Sequence, residues 1–486
     1  KRVAMEGDVA TAQVMQDYRD KQTKAREVAM NDMPTDDTPA VSEESSGDGP
    51  PVVLWINIPG FRGDYLEKAE TPTFDQLVND GAGTNKMRPQ FPCLTFPAHA
   101  TMATGTPPEK HGIPADYIRT DAGEIIKNPT TPEYLLAEPI WTTATRQGMK
   151  TLVHDWPLSQ NQTGEHAAAS FLTDFDPEST DEDRLNKAFE AWKAGSGGGG
   201  GSSTAAPAAD EPAMAAGGGG DEPNADDAAA PAAGGGGGDD DDKYRLVMLR
   251  LDGILRGGLV NGPRTPETYE AVEATDKAVG EFIEKVKAEW TNIAPRNANL
   301  VILITTDHGL AELEKNVNIA HLLGDEMMAN ADIIAHDAIA NLYFKNLPEN
   351  EGEKKLFTEK FDDELKKRIY FRTYTRDDLP DDYQYKIEGR IGDRVLVLKS
   401  GYAFSEVKSE EPVFDPAQGD GHFGGFGYPV AESIRMSGQT ILSGFPNSPA
   451  SGDLGEIGQQ SFHATVCKIL GINPAEGAVT ETLDIR

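Results

Sequence analysis

The chain has 486 residues, 38% of them apolar and 26% charged, the composition of a soluble globular protein with one large core or two smaller ones. Its 80 acidic and 45 basic residues give a formal charge of −35, and such a surface repels phosphate backbones, which argues against nucleic acid as a partner. Two cysteines, Cys93 and Cys467, exclude a disulfide framework and lie outside any CxxC zinc motif. No apolar run reaches the roughly 18 residues of a transmembrane helix, so we expect no membrane span.

Residues 1–50 differ in character from the rest of the chain. The polar stretch 8–30 predicts a surface helix, and an acidic linker with almost no large apolar side chains follows it. The sequence opens at Lys1 with neither a methionine nor a signal-peptide pattern. We interpret the chain as processed or truncated, with its targeting signal removed.

From residue 51 onward, strand and helix patterns alternate to the C-terminus. Short apolar runs bounded by chain breakers predict buried strands at 52–58, 244–251 and 300–305. Helical patterns occupy 69–80 and 266–290. This alternation predicts an α/β domain over 51–486, built on a central and largely parallel sheet.

Residues 194–243 are rich in Gly, Ala, Pro and Asp and interrupt this alternation. Such a segment cannot bury enough apolar area to offset its ordering entropy. We therefore predict a disordered insertion between a helix that ends near Trp192 and a strand that begins at Tyr244. Its last residues, Asp239-Asp-Asp-Asp-Lys243, match a protease recognition tag, either by engineering or by chance in an acidic tract.

Five motifs follow one another in a specific order along the domain. They are Gly60-Phe-Arg-Gly-Asp-Tyr-Leu66, Met87-Arg-Pro-Gln-Phe-Pro-Cys-Leu-Thr-Phe-Pro97 running on to His111-Gly-Ile113, Glu138-Pro-Ile-Trp141, Thr306-Asp-His-Gly309 and Gly421-His422. In this order they resemble the type I phosphodiesterase/nucleotide pyrophosphatase family of the alkaline phosphatase superfamily. The resemblance extends from about residue 51 to the end of the chain, apart from the insertion.

The resemblance implies an alkaline-phosphatase-like fold, a three-layer α/β/α sandwich, with a cap-like region over about 311–420. It also implies that two zinc ions, about 3.5–4 Å apart, activate a threonine and bind the substrate phosphate. Each metal needs about three protein ligands and one open position. Thr95 stands at the nucleophile position, and Asp307, His308 and His422 stand at three of the six metal-ligand positions.

The remaining family positions hold side chains without donor atoms. The first metal aspartate is replaced by Pro59, and the asparagine that follows the Thr-Phe-Pro motif is replaced by Ala98. The second ligand pair, an aspartate and a histidine four residues apart, falls on Leu255 and Leu259 when counted back without gaps from Gly262-Pro263. The resemblance therefore leads us to expect no two-zinc centre.

Three functions remain open on the sequence. The leading hypothesis is a pseudoenzyme with a degraded metal site, which serves a binding or structural role. The alternative is an active phosphoric ester hydrolase that uses Thr95 and one zinc held by Asp307 and His308. A third interpretation gives the function to the acidic N-terminal segment and to the insertion. The family resemblance suggests a phosphate ester or nucleotide as ligand and an exported, periplasmic or extracellular protein, whereas protein partners cannot be inferred.

Several of these residues also have ordinary structural interpretations. Thr95 suits a helix N-cap or a loop, and an Asp-His-Gly sequence at 307–309 is common in turns. His99 and His111 are expected to bond to loop backbone. Cys467 lies in a helical apolar pattern and is expected to pack in the core.

Overall fold

The computed structural model describes residues 47–120, 122–196, 240 and 242–485. The predicted surface helix, nearly all of the acidic linker and most of the insertion lie outside these described residues. Within the described ranges, no helix is both long and apolar enough to cross a membrane.

The described ranges contain twenty strands and twelve α-helices. The strands, β1 to β20 in chain order, are Val52–Asn57, Ala82–Arg88, Tyr117–Arg119, Ile125–Lys127, Lys150–His154, Ser170–Phe171, Tyr244–Arg250, Leu300–Thr305, Ala311–Glu312, Lys315–Val317, Ala331–His336, Ile339–Phe344, Phe371–Tyr374, Arg394–Leu398, Tyr402–Phe404, Val413–Phe414, Gly424–Gly425, Gly438–Phe445, Gly452–Asp453 and Ile457–Gly458. The helices, α1 to α12, are Pro72–Asp80, Thr95–Thr104, Pro108–His111, Ile140–Arg146, Asp181–Ser196, Gly253–Asn261, Pro266–Ala288, Trp290–Ile293, Ile319–Leu323, Asp325–Met328, Glu351–Lys366 and Ser461–Leu470. The strands and helices predicted for the described ranges are confirmed to within a few residues at each end, whereas the predicted helix over 8–30 lies outside them.

A nine-stranded sheet forms the centre of the domain. Its strand order is β19–β2–β18–β8–β1–β7–β5–β6, and β20 also pairs with β2. Strands β8, β1, β7, β5 and β6 are parallel, whereas β18 is antiparallel to both of its neighbours. The predicted α/β class and the largely parallel sheet are confirmed.

Helices cover both faces of this sheet, as the alternation of side chains along β1 illustrates. Leu54 packs in an apolar cluster with residues of α1, α5 and α7. Its neighbour Trp55 points to the other face and packs with residues of α2, α4 and α12. Cys467 of α12 is fully buried in this second cluster, which confirms its role in the core. The fold is therefore the predicted three-layer α/β/α sandwich.

A second, antiparallel sheet lies between residues 331 and 398. Its strand order is β11–β12–β14–β13, and α11 packs against it through Phe357 and Phe361. This sheet falls inside the range 311–420 that the sequence assigned to a cap-like region. The assignment of a cap function stays a prediction.

The two flanks of the insertion lie beside each other. Helix α5 ends at Ser196, whose carbonyl oxygen accepts a hydrogen bond from the ammonium group of Lys243. Lys150 Nζ donates to the carbonyl oxygens of Gly195 and Asp242, at 2.7 and 2.9 Å. These bonds join the end of α5 to the residue that precedes β7.

Asp276 of α7 holds the start of α1, and its removal should destabilise the fold. Its carboxylate is buried and accepts hydrogen bonds from Thr73 N at 3.1 Å and Phe74 N at 2.7 Å. Because both amides lose their partner, Asp276→Ala should lower the free energy of unfolding by about 1–3 kcal/mol, measured in urea. The control is Glu284→Ala on the exposed face of the same helix, expected to change it by about 0.5 kcal/mol or less. Equal losses in both variants would contradict this role.

His111 is a buried neutral histidine that should make the protein sensitive to acid. Its Nδ1 accepts from Ile113 N at 3.1 Å, as predicted for a loop histidine, and its Nε2 donates to Thr101 Oγ1 at 3.1 Å. Burial lowers the pKa of His111 to about 3, whereas an unfolded chain has a histidine pKa of about 6.5. As the pH falls below that value, the unfolded state binds the proton first, so stability is lost between these two pKa values.

The effect can be measured with His111→Asn, which keeps an acceptor for Ile113 but does not titrate. Between pH 7.5 and 5.0 we expect the unchanged protein to lose about 2 kcal/mol more unfolding free energy than this variant. Comparing the two proteins cancels the contributions of all other titrating groups. An equal loss in both would show that His111 does not carry this sensitivity.

Candidate functional site

The middle strands of the sheet end at one level, and the candidate residues follow these ends. Asn57, the last residue of β1, is in register with Arg250 of β7 and Thr305 of β8. Asp307 and His308 come immediately after the end of β8. The carboxyl ends of parallel strands are where α/β proteins build their sites, so the geometry supports a site here.

Asp307 is completely buried and is held mainly by backbone amides. Its Oδ1 accepts hydrogen bonds from Gly60 N at 3.2 Å and His308 N at 2.6 Å. Burial raises the pKa of the Asp307 carboxyl, while the charges of His308 and Arg250 and the two amide bonds act in the opposite direction. Its second oxygen, Oδ2, has no hydrogen-bond partner in the described part of the chain.

His308 is fixed beside Asp307 by one hydrogen bond and one ring contact. Its Nδ1 donates to the carbonyl oxygen of Gly309 at 2.7 Å, so the neutral ring carries a lone pair on Nε2. That Nε2 lies 3.4 Å from Asp307 Oδ2. The ring stacks on Phe426, with centroids 4.4 Å apart and 10° between the planes. His308 is thus packed between an apolar ring and a carboxyl group.

Thr95 is the first residue of helix α2, after the N-cap Leu94, and it is nearly buried. His99, one helical turn later, donates from Nδ1 to the carbonyl oxygen of Thr95 at 2.7 Å. The same nitrogen is 3.9 Å from Asp307 Oδ2. His99 therefore lies between the first residue of this helix and Asp307, without a hydrogen bond to Asp307. The expectation of a loop-backbone partner for His99 was wrong, because the partner carbonyl belongs to its own helix.

Arg250 is a charged residue of the site that sequence reasoning missed. It is 7% exposed, and its Nη2 donates to Asp252 Oδ1 at 2.7 Å. Burial lowers the pKa of His99 far below its ordinary value, and the positive charge of Arg250 acts in the same direction. Its position at the end of β7 was visible in the sequence, but its proximity to Asp307 depends on strand order and not on any local motif.

The four positions that the sequence resemblance aligns with further polar groups are apolar and packed. Pro59 and Ala98 are buried. Leu255 is 6% exposed and belongs to a buried apolar cluster that also contains Phe426 and reaches the second sheet. Leu259 packs against the same cluster.

His422 does not join Asp307 and His308 in a metal-ligand cluster within the described residues. It is 47% exposed and has its nearest acidic partner, Asp420, at 3.9 Å. It lines a cavity of about 570 Å³ together with Leu259, His336, Asp337 and Phe426. The structure therefore brings Asp307, His308 and the Thr95 helix together and leaves His422 in the neighbouring cavity.

These residues do not fit the two-zinc centre that the family implies. Asp307 Oδ2 and His308 Nε2 are buried without hydrogen-bond partners among the residues described, and they face each other. Two donors are fewer than the roughly three protein ligands that each zinc needs. Across the described ranges, no group of three or more His, Cys, Asp or Glu side chains is arranged to hold a metal ion.

Comparison with known proteins agrees with the fold. The family model of type I phosphodiesterase/nucleotide pyrophosphatase matches residues 53–425. An uncharacterized pyrophosphatase/phosphodiesterase of Schizosaccharomyces pombe is 24% identical over 373 residues, 74% of this chain and 65% of that protein. Rat ectonucleotide pyrophosphatase/phosphodiesterase family member 3 is 35% identical over 119 residues, 23% of this chain and 14% of its own length.

Solved structures extend the likeness over most of the fold. Mouse ectonucleotide pyrophosphatase/phosphodiesterase 5, an inactive threonine-to-alanine variant in complex with AMP, superposes with a TM-score of 0.65 and 20% identity, over 90% of this chain and 100% of that chain. The human protein of the same name gives a TM-score of 0.64 and 20% identity, over 89% of this chain and 100% of that chain. Because the family model covers most of the sequence, this chain belongs to the type I phosphodiesterase/nucleotide pyrophosphatase family of the alkaline phosphatase superfamily.

Proposed function

We propose that this chain is a phosphodiesterase-family protein that has lost hydrolysis and serves a binding or structural role. One observation carries the proposal: Leu255, which the family resemblance aligns with a metal-ligand position, lies inside a buried apolar cluster. A threonine hydroxyl is a poor nucleophile near neutral pH until a cation lowers its pKa. Packed leucine at a ligand position removes a donor and disfavours the water and cation that the family's mechanism needs there.

The electrostatics of Asp307 support the same proposal. In a site built for metals, a buried carboxylate is balanced by the cation. Here one oxygen of Asp307 is satisfied by the amides of Gly60 and His308, and Arg250 supplies a permanent positive charge nearby. The protein's own groups thus offset part of the cost of burying this carboxyl group, although burial still raises its pKa.

The proposed ligand is a phosphate ester or a nucleotide. The mouse structure is of a threonine-to-alanine variant described as inactive and in complex with AMP, so in that variant nucleotide binding persists without activity. We extend this to the present chain as a proposal, together with an exported, periplasmic or extracellular location, since the mammalian relatives are named ectonucleotide pyrophosphatases.

One observation favours a second candidate, an active hydrolase with a single zinc. When the His308 ring is neutral, its Nε2 and Asp307 Oδ2 are both acceptors; they lie 3.4 Å apart, and neither has a hydrogen-bond partner within the described ranges. A buried pair of acceptors is costly unless a proton or a cation lies between them. A zinc held by these two atoms, with Thr95 nearby, would satisfy both.

Zinc analysis and an esterase assay separate the two candidates. We expect the purified protein, equilibrated with zinc and desalted, to hold less than one zinc per chain and to leave a nitrophenyl phosphodiester unhydrolysed. Thr95→Ala and His308→Ala should then match the unchanged protein in this assay, while AMP binding is measured by calorimetry on the same samples. Stoichiometric zinc, with turnover that both substitutions abolish, would establish the one-zinc hydrolase instead.

Restoring donor residues at the three apolar positions tests whether their loss is what prevents zinc binding. The variant Pro59→Asp, Leu255→Asp, Leu259→His restores three donors to the family's positions. We expect it to bind more zinc than the unchanged protein, because the shortage of donors is what limits affinity. The matched control replaces the same three residues by alanine, which removes the apolar side chains without adding donors. Equal zinc content in the two triple variants would mean that something other than these positions prevents binding.

A further inference from the structure

The hairpin of β11 and β12 approaches the site with its tip, residues 336–338. Between the tip and helix α2 lies Asp116, whose Oδ1 accepts from Phe96 N at 2.9 Å and whose Oδ2 is 3.2 Å from His336 Nε2. The Phe96 amide is among the first in the helix, where backbone donors have no partner within the helix, and the following Pro97 has no N–H. Asp116 therefore joins the hairpin tip to the first turn of the helix that carries the nucleophile position.

The next residue of the tip holds a second segment of the site. Asp337 Oδ1 accepts from Phe426 N at 3.0 Å, and its carbonyl oxygen accepts from Phe404 N at 2.7 Å. Phe426 in turn stacks on His308, and the His336 ring meets it edge-on at 5.9 Å. Two consecutive residues thus contact both the Thr95 helix, through Asp116, and the loop that covers His308.

We propose that His336 and Asp337 are positioning residues, which hold the first turn of α2 and Phe426 in place from the second sheet. The proposal rests on these contacts and is independent of whether the protein hydrolyses anything. Neither residue is assigned to the family's nucleophile or metal positions, and neither touches a reacting atom.

The hairpin tip should become less stable as the pH rises, because His336 loses a charge that pairs with Asp116 and Asp337 gains a charge that is costly to bury. The charged or titratable groups around the tip are Asp116, Lys127, Glu406, Asp420, His422 and Tyr428. Burial disfavours the charged form of His336, but the adjacent Asp116 carboxylate outweighs this and raises the pKa of His336. Burial also raises the pKa of Asp337 to about 7, with His336 and the hydrogen bond from the Phe426 amide opposing and with nearby Asp116 and Asp420 acting in the same direction as burial.

Both pKa values are raised in the folded state, and both shifts make the folded state less stable as the pH rises. A raised histidine pKa means that the His336–Asp116 ion pair stabilises the fold at low pH and is lost as the pH rises through the folded-state pKa. A raised aspartic acid pKa means that burying Asp337 becomes more costly between its unfolded value, about 3.9, and its folded value. As the pH rises through these folded-state pKa values, His336 loses its charge and Asp337 gains one near Asp116 and Asp420, so the tip should loosen.

Hydrogen exchange of the full chain, without ligand or metal, tests the proposal at pH 6.0 and 9.0. The readout is the exchange of peptides covering 94–100 and 423–428, with proteins compared at the same pH so that intrinsic rates cancel. His336→Ala removes the ion pair, whereas His336→Gln keeps a donor for Asp116 but does not titrate. Asp337→Asn keeps an acceptor for Phe426 without a charge, and asparagine tolerates the positive φ of 48° at this position. Asp332→Asn, exposed on the same hairpin, is the matched control.

At pH 6.0 we expect His336→Ala to speed exchange of the 94–100 peptide by about tenfold relative to Asp332→Asn, because the 3.2 Å ion pair with Asp116 is lost. His336→Gln should restore protection and remove the pH dependence, and Asp337→Asn should remove the faster exchange of 423–428 at pH 9.0. If His336→Ala exchanges like the control, or if the pH dependence persists in both uncharged variants, the positioning role is wrong. Because no ligand is present, failure here leaves the proposed function untouched.

Discussion

The buried carboxyl group of Asp307 is the constraint on which the rest of the site depends. A charge taken out of water needs hydrogen bonds or an opposite charge to offset the loss of hydration. The chain supplies two backbone amides on one oxygen and the guanidinium of Arg250 nearby. The second oxygen faces His308 without a hydrogen bond, so the balance at this atom depends on a proton or cation. A cation bound at this oxygen corresponds to the one-zinc hydrolase, and a proton at this oxygen corresponds to the protein without hydrolysis.

The apolar cluster around Leu255 changes what surrounds this carboxyl group. In a metal site, the space between the strand ends and the nucleophile is polar and open to substrate. Here Leu255 and Phe426 belong to one buried cluster that continues into the second sheet, so the site is continuous with a hydrophobic core. Substituting metal-binding side chains into this region should therefore lower the free energy of unfolding, because core side chains are closely packed. The second sheet is coupled to the site through the same contacts.

Local patterns gave most of the fold but only part of the site. Buried parallel strands such as β1 and β8 are continuous apolar runs, and a helix such as α7 has a clear apolar face, so both can be read directly. Thr95, Asp307 and His308 could be placed because each belongs to a local motif. Arg250 and Phe426 could not, since their contacts join strands and loops far apart in sequence. His422 shows that a local motif can also mislead. The sequence placed it with the metal-ligand positions, but the path of its loop places it in the neighbouring cavity.

The hydrogen bonds from Lys150 and Lys243 have a consequence for how this domain tolerates change. They tie together the two chain ends from which the Gly- and Ala-rich segment departs, so the sheet is closed at this point whatever the sequence in between. With the two ends held side by side, the stability of β7 should depend little on the length of the connecting segment, because the entropy cost of closing a loop rises only with the logarithm of its length. The segment between Ser196 and Lys243 is thus a suitable insertion site, where we expect a tag or an entire foreign domain to be tolerated without disturbing the strand that ends at Arg250.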